Sequence, residues 1–115
     1  MTANQRTIDR YMEGFRKSDH EMVLSCLSDD VEWELPGAFH IHGKEAFDQH
    51  IEDEGFVGSP EITVFRRVEQ NDVVVAEGAV RARRTDGTEL NLVFCDVFEM
   101  RDGEIRKLTS YLMTK

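Results

Sequence analysis

Asp96 is an acid in markedly apolar company, within Phe94-Cys95-Asp96-Val97-Phe98. Strand alternation would place it on the same side as Phe94 and Phe98. Scarce water disfavours a carboxylate, so its pKa is expected to rise, which suits a general acid or hydrogen-bond donor near neutral pH. The plainer alternative is a carboxyl that only anchors a hydroxyl or a backbone group. His40 and His42, in Phe39-His40-Ile41-His42, are the next candidates, because imidazole titrates in the range where protons move at neutral pH. As an i, i+2 pair on an extended segment, both rings could face one side and bind metal with a third ligand such as His50 or Glu77. No other tight ligand spacing exists, so no metal is expected, and a solvated rim position is the simpler fate of each ring. Glu77, Arg81 and Arg83 share one face of a strand and read as surface or interface ion pairs rather than a catalytic dyad. No phosphate loop, nucleophile elbow or dinucleotide fingerprint is present, which leaves kinase, serine-hydrolase and dehydrogenase chemistry without support and implies no cofactor.

The elements that would position these residues follow from periodicity. Ile8, Tyr11, Met12 and Phe15 fall at i, i+3, i+4, i+7, one stripe of an amphipathic helix. Ser18-Asp19-His20-Glu21 has the form of a capping box that opens a second helix, with Val23, Leu24 and Leu27 on its apolar face. Asp29-Asp30 ends it. Val31, Trp33 and Leu35 alternate with Glu32 and Glu34 as a short half-buried strand, which Pro36-Gly37 breaks. A third helix is expected from Lys44 to about Asp53, with Ala46, Phe47, His50 and Ile51 inward. Beyond a Gly55–Pro60 loop, either a mobile rim or simply a long connection, the period becomes two. Ile62, Val64 and Arg66 alternate with Thr63, Phe65 and Arg67; Asn71-Asp72, Asp86-Gly87 and Arg101-Asp102-Gly103 then separate strands Val73–Arg84, Glu89–Met100 and Glu104 to about Met113. Helices segregated to one side of a long antiparallel meander imply an α+β domain whose sheet curls around them.

Bulk properties agree with one domain over residues 1–115. Net charge is -9, and nine acids between Asp29 and Glu54 face a single base, Lys44, so the rest of the chain is nearly balanced. Nucleic acid, which wants a basic stripe, and anionic membrane surfaces are therefore not expected partners. The acidic run reads as a solvated face. No apolar run reaches the ~18 residues of a membrane span. Met1-Thr2-Ala3-Asn4-Gln5-Arg6 lacks a signal-peptide core, so a cytoplasmic location is the default expectation. Cys26 and Cys95 lack metal-type spacing and read as free, buried thiols.

Three segments carry a family resemblance: Tyr11 to Asp19; Asp30 to Gly37 with Gly43-Lys44-Glu45-Ala46-Phe47; and Cys95 to Ile105. In this order and spacing the chain resembles the nuclear-transport-factor-2-like superfamily, and within it the SnoaL-like and ketosteroid-isomerase-like domains. The resemblance implies a cone-shaped, cystatin-like curved antiparallel sheet wrapped around N-terminal helices, a ligand cavity, and a homodimer. It does not imply one chemistry. Tyr11 and Asp96 match the positions where ketosteroid isomerases place a tyrosine and a protonated aspartic acid as oxyanion donors, and SnoaL-like cyclases use an aspartate on the same strand as acid/base. The isomerase base would precede Pro36, where this chain has Leu35; Glu34 faces the other way unless a bulge turns it. Limonene epoxide hydrolase, another relative, uses an Asp-Arg-Asp set of which only Asp96 has a match.

Together these readings predict a pocket for a small, largely apolar organic molecule, walled by Phe15, Trp33, Leu35, Phe47, Phe94, Phe98 and Leu108. The expected chemistry is acid/base catalysis of isomerase, cyclase or lyase type, with Asp96 and Tyr11 as donors and His40 or His42 assisting. The rival is a non-catalytic binding or structural member. Which face of Val73–Arg84 lines the pocket stays open. A homodimer through the outer face of the long strands is expected, because the Val74 face has too few polar residues for free exposure.

Overall fold

The computed structural model describes all 115 residues. Its element order is α1 (Ala3–Lys17), α2 (His20–Leu24), β1 (Leu27–Leu35), β2 (Phe39–His42), α3 (Lys44–Gln49), β3 (Phe56–Gln70), β4 (Val73–Arg84), β5 (Glu89–Arg101) and β6 (Glu104–Thr114). Thr2 caps α1 by accepting the Gln5 amide at 3.1 Å, and the apolar stripe of the helix turns Ile8, Tyr11 and Met12 into the core. The second cap is shifted by one residue from the expected box. Asp19 accepts the Met22 amide, whereas Ser18 closes α1 in a left-handed conformation at φ 52. Ser18 is committed to ending the preceding helix, so Asp19 takes the cap. Gly14 allows the two helices to meet: a Cβ there would lie 2.7 Å from a Val23 methyl. No helix is long and apolar enough to cross a membrane.

The strands form one curved six-stranded sheet in the order β2-β1-β6-β5-β4-β3. It is mixed rather than wholly antiparallel, because β1 runs parallel to β6. Nor does it close into a barrel, since β2 and β3 remain as edges. The long meander from β3 to β6 is held by tight turns, with Asn71 and Asp72 both at positive φ between β3 and β4, the hairpin geometry that matches strand twist.

Other boundaries differ from expectation. Leu27 belongs to β1, not to the second helix, and α3 stops at Gln49. The segment read as a loop from Gly55 to Pro60 is mostly the start of β3, irregular between Val57 and Glu61. A second irregularity between Val64 and Arg66 reverses the parity, so Arg67 rather than Arg66 follows Ile62 and Val64 toward the helices. On β4 the buried face is Val74, Ala76 and Gly78. That face looks inward, so its poverty in polar groups reflects the core, not an outer interface. The core joins α1 and α3 to the inner sides of β1, β4, β5 and β6, with Phe47, Phe98, Ile105 and Leu108 fully buried.

Candidate functional site

The concave side of the sheet, the side wall of α1 and the C-terminal end of α3 enclose a cavity of about 270 Å³. Its walls are Tyr11, Met12 and Phe15 from α1, Trp33 and Leu35 from β1, Phe39 from β2, His50 after α3, Ile62, Val80, Phe94 and Asp96 from β3 to β5, and Ser110 and Leu112 from β6. Alternation explains the set. Trp33 and Leu35 are one inward pair of β1, Phe94 and Asp96 one of β5, and Ser110 and Leu112 one of β6.

Aromatic rings set the shape. Trp33 stacks on Phe47 at 4.4 Å and meets Phe39 edge-on at 5.2 Å. Tyr11 packs edge-on against Phe98 at 5.3 Å and beside Phe15 at 5.0 Å. Such contacts fix ring positions beyond what area burial alone would do. Phe47, Phe98 and Leu108, expected as pocket wall, instead form the fully buried layer behind it. Phe47 backs Trp33 and Phe98 backs Tyr11, so each orients a lining residue without reaching the cavity.

Few polar groups enter this space. Asp96 is 9% exposed, Tyr11 3% and Ser110 4%. Burial pushes the Asp96 carboxyl up to about 7, opposed only by the Ser110 hydroxyl, which belongs to the residue directly across the β5–β6 pair. Burial likewise holds the Tyr11 phenol well above its usual range, and the Asp96 charge adds to this. Both shifts favour the protonated form, so the two groups can stand as hydrogen-bond donors. The Trp33 indole N–H donates to the Ser110 hydroxyl at 3.1 Å, which ties β1 to β6 and steers that hydroxyl. At the mouth, the His50 Nδ1 lies 2.9 Å from the Ala46 carbonyl oxygen. Because a carbonyl accepts only, Nδ1 is the donor in this bond. The His50 ring leans on Phe39 at 4.7 Å.

His40 and His42 do not join this cavity. They alternate outward with Phe39 and Ile41 on β2 and are exposed on the far side of the hairpin. Neither of the third ligands considered for them is near: His50 stands at the cavity mouth, and Glu77 pairs with Arg66 at 2.9 Å. Arg81 bonds Glu61 rather than Glu77. Glu34 also faces outward, 3.8 Å from Lys107, so no bulge supplies a carboxylate beside Leu35. Phe39 and Ser110 are not among the expected site residues, and His50 was considered only as a metal ligand. Ser110 was readable from the parity of Leu108, and His50 from the inner face of α3. Phe39 depended on recognising a four-residue strand. Cys26 and Cys95 are free.

The sequence profile of the SnoaL-like domain matches residues 8–108. Solved structures of similar shape include an epoxide hydrolase of the LEH-like type from M. tuberculosis, 20% identical over 96% of this chain and 83% of that one, with a TM-score of 0.85. An NTF2-like protein of unknown function from Burkholderia pseudomallei is 22% identical over 98% and 92% of the two chains, with a TM-score of 0.87. TerC, co-crystallised with polyporic acid, is 26% identical over 99% and 92%, with a TM-score of 0.84. No curated protein sequence matches the chain.

Proposed function

The chain belongs to the SnoaL-like domain family, and on that premise we propose that its cavity binds a small, largely apolar organic molecule and moves a proton on it. The observation that carries this reading is a carboxyl only 9% exposed that shares a largely apolar cavity wall with a buried phenol; burial pushes that carboxyl up to about 7. A substrate carbonyl oxygen placed between Tyr11 and Asp96 would accept hydrogen bonds from both, and those bonds strengthen as negative charge develops on it in an enolate. Half-ionised at neutral pH, Asp96 can alternatively take a proton and return it, which fits isomerisation, cyclisation or elimination next to a carbonyl. His50, at the mouth, and the Ser110 hydroxyl are the other polar groups of the lining. The cavity lies near the lower end of the roughly 300–1,000 Å³ typical of ligand pockets, so the fitting ligand is compact. TerC, with polyporic acid, is a relative of this shape co-crystallised with an organic acid.

A binding role without turnover is the second reading, favoured by Leu35, which lines the cavity where an isomerase-type base would stand. Proton exchange separates the two. Small aromatic ketones would be titrated against the fluorescence of Trp33, the sole tryptophan, and deuterium uptake at their α-carbon followed by NMR in D2O. Catalysis requires exchange above background that Asp96→Asn and Tyr11→Phe each abolish while quenching persists. Saturable quenching with no exchange would leave a binding protein.

The outer face of the sheet supports a homodimer. Phe65, Tyr111 and Met113 are 60%, 53% and 69% exposed around a shallow apolar groove that includes Val93 and Cys95. Exposed rings clustered on one sheet face are a liability for a lone chain, and a second copy laid on the same face would cover them.

A further inference from the structure

We propose that Glu32, His40 and His42 bind a divalent transition-metal cation on the outer face of the β1–β2 hairpin. Register brings them together: Glu32 on β1 lies opposite His42 on β2, and Glu34 opposite His40. Because residues two apart on a strand share a face, both rings project to the side that Glu32 occupies, with ring centroids 4.8 Å apart. Each of the three offers one ligand atom, and all three atoms lie within 4.8 Å of one another. His42 Nδ1 is 3.3 Å from a Glu32 oxygen.

Two donors about 2.1 Å from a tetrahedral ion stand ~3.4 Å apart. The Glu32–His42 edge already has that length, and exposed imidazoles need only small side-chain rotations to close the others. Two nitrogens and one carboxylate oxygen suit zinc and its neighbours in the first transition row. They do not suit magnesium or calcium, which require mostly oxygen. Three protein ligands leave a position for water. The surrounding run from Asp29 to Glu54 holds nine acids against Lys44, an excess that favours cations, although Lys107, 3.8 Å from Glu34, opposes it on this face. A bound ion would cross-link edge strand β2 to β1, the strands whose opposite faces carry Trp33, Leu35 and Phe39 of the cavity wall. It would therefore brace that wall without touching the ligand.

Zn²⁺ alone is the probe, titrated calorimetrically into the wild-type protein, His40→Ala, His42→Ala and Glu32→Gln, with His20→Ala as the control. His20 is the control because it contacts Asp48 at 2.6 Å, and also Glu52, in the other histidine–carboxylate cluster. The expected result is saturable one-to-one binding at about 0.1 mM or below. It should weaken ~10-fold or more in each of the three ligand variants, stay intact in His20→Ala, and be unmatched by Mg²⁺. Each altered side chain is at least partly exposed, and circular dichroism of every variant is the check that it folds. Absence of saturable binding, binding that survives in His40→Ala and His42→Ala, or loss only in His20→Ala would each overturn the proposal.

Discussion

Replacing Asp96 by Asn should make the protein progressively more stable than wild type as pH rises. Burial moves the carboxyl from an ordinary 3.8 to about 7. The native state therefore holds this proton over a range where the unfolded chain has released it. Unfolding free energy then falls with increasing pH from about 4 to about 7, and levels off above that. At about 1.4 kcal/mol for each pH unit, the ionised carboxyl costs the native state about 4 kcal/mol once both forms are charged. That is a large share of the roughly 5–15 kcal/mol that keeps a domain folded. The asparagine amide has a burial cost of its own, about 1–3 kcal/mol if poorly partnered, but it is the same at every pH. The informative quantity is thus the change with pH of the difference between the two proteins. Urea titrations at pH 4 and pH 8, read by Trp33 fluorescence at one fixed protein concentration, should show that difference moving by about 3–4 kcal/mol in favour of Asp96→Asn. A difference flat to within about 1 kcal/mol would mean a solvated or paired carboxylate, and the desolvation reasoning would be wrong.

Gly78→Ala should destabilise severely or prevent soluble expression, because a Cβ there would lie 2.1 Å from the Thr63 carbonyl oxygen and 2.7 Å from the Phe94 ring; backbone on an adjacent strand cannot yield as a side chain can, and a loss of roughly 3 kcal/mol or more is expected in urea. His20, raised by hydrogen bonds to Asp48 and then Glu52, ties α2 to α3 most strongly when charged. Its contribution is complete below pH about 6.5 and fades as pH passes its raised native value, so the melting-temperature gap between wild type and His20→Gln should be wider at pH 5.5 than at pH 9. Phe65→Asp with Met113→Asp should give a monomer by sedimentation equilibrium where the wild type is a dimer; a wild-type monomer of 13.3 kDa at micromolar concentration would refute the shared outer face.

The parts of the fold readable from sequence were those where alternation runs unbroken. Strands β4 and β5 pair without slippage along their whole contact, so the parity that grouped Asp96 with Phe94 and Phe98 carried through to the structure. Where a bulge intervenes, parity fails. Arg66 and Arg67 exchange sides at the Val64/Arg66 irregularity, and the pairing of β5 with β6 shifts between Glu99 and Met100. Neither leaves a mark in the local residue types. The parallel β1–β6 pairing joins residues some 75 positions apart, such as Trp33 and Leu108, and no periodic signal reports it. The histidines were misplaced for a similar reason. Their common face was evident from spacing, but which face it was depended on β2 pairing with β1 and turning Phe39 to the cavity. The aromatic residues were legible as apolar and interior, yet only packing separates Trp33 and Phe94 at the cavity from Phe47 and Phe98 one layer behind.

Proton transfer in this cavity requires an Asp96 carboxyl that exchanges its proton near neutrality. Carbon-13 NMR titration of that carboxyl in the intact protein, assigned by its absence from Asp96→Asn, tests this most directly. The expected midpoint is about 7. A midpoint at or below the free-aspartate value of about 3.9 would contradict it.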